Sequence, residues 1–145
     1  MKKALQTAWE KKGCSIVSEL EELYETKIRL NKIKVYLTTF PIIPYHYNKG
    51  WLMVNYFAPL EGQIDNIEHE LNHFFFHQKF AAKKDKHGHD LFHEIKEAFT
   101  ALTQPESRGY PINKKLREEL KENLKKGKSA EELFELSIKY KDKKR

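Results

Sequence analysis

The stretch His69-Glu70-Leu71-Asn72-His73 places two histidines four positions apart, with a glutamate directly after the first. On a helix, residues at this spacing lie on the same face, one turn above each other. Two imidazoles so placed can bind one tetrahedral Zn²⁺, at about 2.0–2.1 Å from a nitrogen of each ring. The glutamate lies beside them, where it can take a proton from a water molecule that the metal activates. The sequence therefore predicts a zinc site at His69 and His73, with Glu70 as general base.

The residues around this motif have the periodicity of an amphipathic helix over about residues 63–80. Its apolar positions fall on one side of a helical wheel, namely Ile64, Ile67, Leu71, Phe74 and Phe75. The two histidines fall on the other side, so we expect a core-facing stripe opposite a metal-binding face. Phe76 and Phe80 lie near the histidine face, where they either line a pocket or pack under the next helix. The alternative is a surface helix with two solvated histidines.

A third ligand is needed, because a catalytic zinc keeps three protein ligands and an open position for water. A second amphipathic helix over about residues 90–103 has Glu97 on the side opposite its apolar residues, which makes Glu97 the preferred ligand. His77 continues the four-residue spacing, but it lies about 12 Å from His69 along the helix axis and so cannot bind the same ion. The other candidate ligands are His87, His89, His93, Glu94 and Asp90; His93 and Asp90 share the Glu97 face and are also candidate hydrogen-bonding partners of the ligands.

The motif His-Glu-Leu-Asn-His, followed 24 positions after His73 by Glu97-Ala98-Phe99-Thr100, resembles the gluzincins, which are thermolysin-like zinc metallopeptidases. The resemblance covers about residues 50–103, and the short chain is similar to the single-domain minigluzincins. It implies a zincin-like fold with Glu97 as third ligand. Thermolysin-like members have Ser and Asp three and four positions after that glutamate, where this chain has Thr100 and Ala101.

The same resemblance implies that the strand before the metal helix, here Trp51–Tyr56, is the antiparallel edge strand along which a peptide binds. A weaker resemblance is to the Spartan-like zinc proteases, whose third ligand is a histidine in a His-Gly pair. In this chain that pair would be His87-Gly88.

The remaining elements are predicted from periodicity and helix breakers. We expect helices over about 3–11 and 15–25, separated at Lys12-Gly13, and strand pieces between Ile28 and Leu37. Residues 40–50, with two prolines, and residues 83–88 are expected to form loops and turns. Two further helices begin at Asn113 and at the capping box that starts with Ser129.

Together these elements predict the α+β class, with one domain over residues 1–145. A small mixed sheet with an antiparallel edge strand packs on the motif helix, and a helical extension covers about residues 113–145. The length of 145 residues is that of one modest domain.

Composition and charge indicate the class of protein and the compartment in which we expect it. Charged residues make up 33% of the chain and no apolar run is long enough for a signal peptide or a membrane span, so we expect a soluble protein. A single cysteine, Cys14, excludes an intramolecular disulfide and fits the reducing cytoplasm. The net charge is +6 with a lysine-rich C-terminus, but no nucleic-acid-binding motif accompanies it, so nucleic-acid binding is disfavoured.

The predicted function is a zinc-dependent metallopeptidase whose partner is a peptide or protein substrate. A hydrogen-bond donor near the developing oxyanion would complete such a site, and Tyr45, His46, Arg108 and Tyr110 are the candidates. The rival hypotheses are a catalytically silent zincin-like module that binds a partner, and a basic protein that associates with nucleic acid.

Overall fold

The computed structural model describes residues 1–41, 44–104 and 113–143. Within them the helices are α1 (Lys2–Tyr24), α2 (Leu60–Phe80), α3 (Lys84–His87), α4 (His89–Phe99), α5 (Lys114–Lys125) and α6 (Ala130–Asp142). The strands are β1 (Lys34–Thr38), β2 (Tyr45–His46) and β3 (Trp51–Asn55), and short 3-10 turns cover Ala81–Lys83 and Thr100–Leu102. This combination of helices with a small sheet confirms the predicted α+β class.

The sheet has the order β1-β3-β2, so β3 lies in its centre. β3 pairs in parallel with β1 and antiparallel with β2, which makes the sheet mixed, as predicted. The prediction that Trp51–Tyr56 is the edge strand is wrong, because Trp51–Asn55 has a partner on both sides and the antiparallel edge is Tyr45–His46. The physical reason is that a strand of two residues, preceded by prolines, has no apolar alternation to reveal it.

The first helix is continuous from Lys2 to Tyr24, so the predicted break at Lys12-Gly13 is wrong. Gly13 lies against the indole ring of Trp9, and a Cβ at this position would approach that ring to 2.5 Å. Glycine is therefore present because a bulky side chain covers it, and the helix ends only at Glu25, which adopts a left-handed conformation with φ of 51°.

Two other stretches differ from the local predictions. Ile28, Leu30 and Ile33 pack against the core without forming a strand, and β1 begins only at Lys34. The stretch predicted as a polar loop is helical, because it has no breaker before Gly88, whose φ of 83° ends α3.

The core is built around the second half of α2, where three consecutive phenylalanines, Phe74, Phe75 and Phe76, are fully buried. Phe76 lies 5.1 Å from Phe99 on α4, and Phe80 lies 4.5 Å from Phe134 on α6, measured between ring centroids. Of the two predicted roles of Phe76 and Phe80, packing under the following helices is therefore the one observed.

The C-terminal helices belong to this same core. Leu116 and Leu120 of α5 and Phe134 of α6 are fully buried. The predicted capping box is present, since Ser129 accepts a hydrogen bond from the Glu132 amide and the Glu132 carboxylate accepts one from the Ser129 amide. Asn113 stands at the N-terminus of α5, as predicted, but its side chain makes no cap there; it bonds the Glu94 carbonyl and Lys141 instead.

The two longest helices, α1 and α2, have 23 and 21 residues and carry charged side chains along their length. No helix within residues 1–41, 44–104 and 113–143 is both long enough and apolar enough to cross a membrane.

Candidate metal centre

The connection from β3 into α2 is fixed by the side chain of Gln63. Its amide nitrogen lies within hydrogen-bond distance of the carbonyl oxygens of Asn55, Tyr56 and Ala58, at 3.1, 3.2 and 3.1 Å. Gln63 itself is fully buried, so its amide nitrogen finds these partners inside the protein rather than in water. The start of α2 is therefore held against the sheet.

Asn72, inside the motif, fixes the orientation of α2 between its neighbours. The Tyr24 hydroxyl of α1 donates to Asn72 Oδ1 at 2.7 Å, and Asn72 Nδ2 donates to the Phe99 carbonyl at 3.4 Å and to Thr103 Oγ1 at 3.3 Å. All of Asn72 is buried. The sequence analysis gave this residue no role, although a polar residue next to a core-facing Leu71 is a signal that it needs buried partners.

The structure brings Glu97 of α4 to the two motif histidines. One carboxylate oxygen, Oε1, lies 3.3 Å from His73 Nε2, and the other, Oε2, lies 3.7 Å from His69 Nε2. The ligand atoms of a tetrahedral zinc with bonds of about 2.0–2.1 Å are about 3.3–3.4 Å apart. The Oε1–His73 separation matches this spacing, and the Oε2–His69 separation is slightly longer.

Glu70 lies in the same group. Ligand atoms of His69, Glu70 and His73 all fall within 4.8 Å of one another. Glu97 is not part of this group, so by this criterion Glu70 is the alternative third ligand, although closeness to the histidines is equally required of a general base. Glu97 differs from Glu70 in that its two oxygens approach two different rings from a separate helix, whereas Glu70 is the chain neighbour of His69.

Burial sets the ionisation of these groups. It raises the pKa of Glu70 to about 7, although the charges of His69 and Lys96 partly oppose the rise. Burial also lowers the pKa of His73, which keeps that ring in the neutral form that binds metals. For Glu97, burial alone would raise the pKa, but the neighbouring His69, His73 and Lys96 outweigh it and hold the pKa well below its usual range.

Two buried polar atoms in the site have no hydrogen-bond partner among the described residues: Oε2 of Glu70 and Nδ1 of His73. A metal-bound histidine almost always donates from its second ring nitrogen. The fully buried Ala101 stands where the thermolysin-like pattern has an aspartate, and it has no polar side-chain atom to offer. The donor set of two imidazoles and a carboxylate fits zinc. What the site lacks among the described residues is a hydrogen-bond acceptor for Nδ1 of His73.

A hydrogen-bonded chain that the sequence analysis missed adjoins the candidate ligands. The Lys96 ammonium donates to Glu97 Oε1 at 2.8 Å and to the Tyr45 hydroxyl at 3.1 Å. The Tyr45 hydroxyl also lies 2.9 Å from Nε2 of His77, whose pKa burial lowers to about 4, so that the ring is neutral. His77 is therefore a hydrogen-bonding partner of Tyr45.

The other candidate ligands are placed differently. Glu94 pairs with Lys141 of α6. The side chains of His89 and Asp90 are 74% and 100% exposed, and the His87 ring packs 6.0 Å from Phe134. His93 comes nearest, with Nε2 4.0 Å from Glu97 Oε1 and a side chain that is 46% exposed.

Of the four candidate oxyanion donors, Tyr45 lies beside the site, with its ring centroid 5.4 Å from that of His73. His46 packs against Trp51 on the sheet and accepts a hydrogen bond from the Lys49 amide. Arg108 and Tyr110 lie outside the described residues.

No protein-family model, no curated protein and no solved structure matches this chain. The gluzincin resemblance therefore stays a prediction that depends on the motif and on Glu97.

Proposed function

We propose that this chain is a zinc-dependent metallopeptidase with a zincin-like arrangement of its sheet, α2 and α4. The observation that carries the proposal is the position of Glu97, whose two carboxylate oxygens lie 3.3 Å from Nε2 of His73 and 3.7 Å from Nε2 of His69. A helix that merely exposed two solvated histidines would not bring a carboxylate from another helix between them. His73 has a side chain that is only 3% exposed.

His69, His73 and Glu97 would hold the ion, the first two through Nε2 as neutral rings and the third as a carboxylate. Zinc bound there would supply a Lewis acid that lowers the pKa of a water molecule to about 7 and polarises a peptide carbonyl. Glu70 accepts the proton of the attacking water and passes it to the leaving amine. Its carboxylate suits this role, because it is buried beside the ligands and its Oε2 has no partner among the described residues.

The edge strand β2 offers a place for the substrate main chain. The Met53 amide donates to the Pro44 carbonyl, so the next pair along, Tyr45 with Leu52, is a pair without mutual hydrogen bonds. The main-chain N–H and C=O of Tyr45 therefore point away from β3, towards the open edge. A peptide that adds a strand at this edge would bond to Tyr45, whose side chain borders the site.

The direct test combines metal content with hydrolysis of a mixed peptide library. We expect the purified protein to hold zinc and to cleave peptides, and Glu70→Gln to hold zinc without cleaving. Glu61→Gln is the matched control, because it is the same substitution at an exposed position of α2. Wild-type protein that holds no zinc after supplementation would overturn the proposal.

A second candidate function is a metal-free binding module with the same fold. The observation that favours it is that Glu97 already has a protein cation as partner, the Lys96 ammonium at 2.8 Å. A buried carboxylate so paired can be stable without an ion. Zinc analysis separates the two candidates, because only the peptidase needs the metal.

A further inference from the structure

The Lys96 side chain is an unusual feature of α4. The residue is only 4% exposed, and lysine is almost never buried unless its ammonium is paired. Its partners are Glu97 Oε1 at 2.8 Å and the Tyr45 hydroxyl at 3.1 Å, and the ammonium lies 5.2 Å from the centre of the Tyr45 ring. Glu97 belongs to the candidate metal site and Tyr45 to the neighbouring edge strand β2. The Lys96 ammonium therefore contacts the candidate site and is not part of an ion pair elsewhere on the protein.

The contact with Glu97 does not follow from helix geometry alone. Adjacent residues on a helix point in directions about 100° apart and do not face each other. The lysine stem must therefore turn towards its neighbour, and burying this flexible chain costs side-chain entropy. The ammonium could avoid that cost by reaching solvent, so its buried position needs compensation from the groups that it bonds.

The contact restrains the orientation of the Glu97 carboxylate. Oε1 accepts the Lys96 hydrogen bond and lies 3.3 Å from His73 Nε2, while Oε2 lies 3.7 Å from His69 Nε2. A carboxylate anchored through one oxygen cannot rotate freely about its last bond. The other oxygen is then held in a fixed direction, which is what hydrogen-bonded partners of metal-binding carboxylates generally do.

The second contact extends this arrangement to the substrate edge. Tyr45 belongs to β2, His77 to α2, and Lys96 to α4, so one hydrogen-bonded chain joins all three elements. Tyr45 is also the residue whose main chain faces the open edge of the sheet. A shift of the Glu97 carboxylate would therefore also change the position of β2, the strand along which a peptide would bind.

We propose that Lys96 is a positioning residue: it fixes the Glu97 carboxylate in its orientation towards His69 and His73, and it ties the β2 edge to that carboxylate through Tyr45. This inference rests on the proposed function, since it assumes that His69, His73 and Glu97 hold zinc. It assigns to Lys96 no contact with substrate.

The test measures zinc affinity by competition with a chromophoric chelator, and ligand geometry by the visible spectrum of the cobalt-substituted protein. Lys96→Met removes the donors and the charge but keeps an unbranched chain. We expect it to weaken zinc binding by about 10–100-fold and to change the cobalt spectrum, as is usual when a partner of a metal ligand is lost. Lys96→Arg should restore part of the affinity, and Lys12→Met, at an exposed position of α1, should change neither quantity.

Whether Lys96→Met weakens or strengthens zinc binding decides between two roles of Lys96: positioning of Glu97, or electrostatic repulsion of the zinc ion. A buried ammonium that acted only as a competing positive charge would weaken zinc binding in the wild type, so Lys96→Met would bind zinc more tightly. Tighter or unchanged binding in this variant, with zinc still bound by the wild type, would overturn the inference and leave the proposed function standing. A wild type that binds no zinc would overturn both.

Tyr45→Phe keeps the Lys96–Glu97 contact and removes only the hydroxyl. We expect near wild-type zinc affinity in this variant, with a raised KM for peptides and a smaller change in kcat. This variant also tests the inference if Lys96→Met does not fold. A loss of zinc affinity by more than about 10-fold in Tyr45→Phe would contradict the inference that the Glu97 contact supports metal binding and the Tyr45 contact supports the β2 edge.

Discussion

Oε1 of Glu97 lies 3.3 Å from Nε2 of His73, although the two residues belong to different helices. The contact depends on the crossing of α2 and α4, which Asn72 and the phenylalanines of the core hold in place. A change in that crossing by about one ångström would move the two groups away from the spacing of about 3.3–3.4 Å that tetrahedral zinc ligands have. The geometry of the candidate site is therefore a property of the core packing as much as of the motif.

Zinc content is the first prediction. We expect about one zinc ion per chain, and chelation should lower the melting temperature, because a ligand that binds only the folded state stabilises it. At a free zinc concentration of 100 times Kd the stabilisation is about 2.7 kcal/mol. The double variant His69→Ala, His73→Ala should lose the zinc-dependent shift, and His89→Ala, whose side chain is 74% exposed, should keep it. An equal shift in all three proteins would place the metal elsewhere.

The second prediction tests the close packing at Gly13. Alanine in a helix interior is favoured over glycine by about 1 kcal/mol, yet we expect Gly13→Ala to destabilise the protein by about 1–3 kcal/mol. The new Cβ would lie 2.5 Å from the Trp9 ring, which must move. Gly62→Ala in α2 is the control, because its Cβ would meet only Pro59 at an ordinary 3.9 Å, and it should stabilise. Urea unfolding measures both, and a more stable Gly13→Ala would contradict the packing.

The third prediction concerns residues 113–145, which the sequence indicated as an extension. Phe134 is fully buried and stacks on Phe80 at 4.5 Å. We therefore expect a chain that ends at residue 112 to lose cooperative thermal unfolding, and Phe134→Ala to cost about 3–5 kcal/mol. Far-UV circular dichroism on heating measures both. Leu124→Ala, at a half-buried position of α5, should cost less. A sharp transition in the truncated chain would show that these helices are dispensable.

Local periodicity was sufficient for the parts of the candidate site that lie on single helices. The spacing of His69, Glu70 and His73 and the position of Glu97 opposite the apolar side of α4 follow from 3.6 residues per turn. That Glu97 then meets the histidines depends on how the two helices cross, which no local pattern contains. The same pattern said nothing of Lys96, because a long flexible side chain can reach a site that its Cβ does not face.

The sheet and α1 show the same limit in another form. The pairing of β2 with β3 joins residues through a tight turn, and two residues carry too little alternation to predict a strand. At Gly13 the rule that glycine ends a helix was overridden by a contact with Trp9, four positions earlier. Sequence rules failed where a tertiary contact, rather than a local preference, chose the structure.

The fourth prediction probes the substrate edge. Proline substitution in β3, for example Val54→Pro, would not test peptide binding at β2. Val54 is fully buried in the central strand, so the variant would damage the sheet itself. Instead, N-methylation of one amide at a time in a cleaved peptide removes single main-chain donors. We expect one position, the one that bonds the Tyr45 carbonyl, to raise KM strongly while distant positions have little effect. A uniform response across the peptide would count against binding along β2.

The fifth prediction separates the ligand from the base, which is needed because both Glu70 and Glu97 lie close to the histidines. Glu70→Gln keeps the size of the side chain but cannot accept a proton, so we expect zinc to remain and peptide hydrolysis to fall by roughly 10²–10⁴-fold or more. Glu97→Ala removes a ligand, so zinc affinity and activity should fall together. His93→Ala should be milder, with a loss of at most about 10–100-fold, because His93 Nε2 lies 4.0 Å from the carboxylate.

The measurements for this last test are zinc per chain and cleavage of the peptide library, with Glu61→Gln as the exposed control on α2. Each variant must first show a cooperative unfolding transition, so that loss of metal is not confused with loss of fold. Zinc lost from Glu70→Gln but retained in Glu97→Ala would reverse the two roles, making Glu70 the third ligand. Wild-type protein that holds zinc and cleaves no peptide would instead favour a zinc-bearing binding module, for which the positions of Glu97 and Lys96 are structural rather than catalytic.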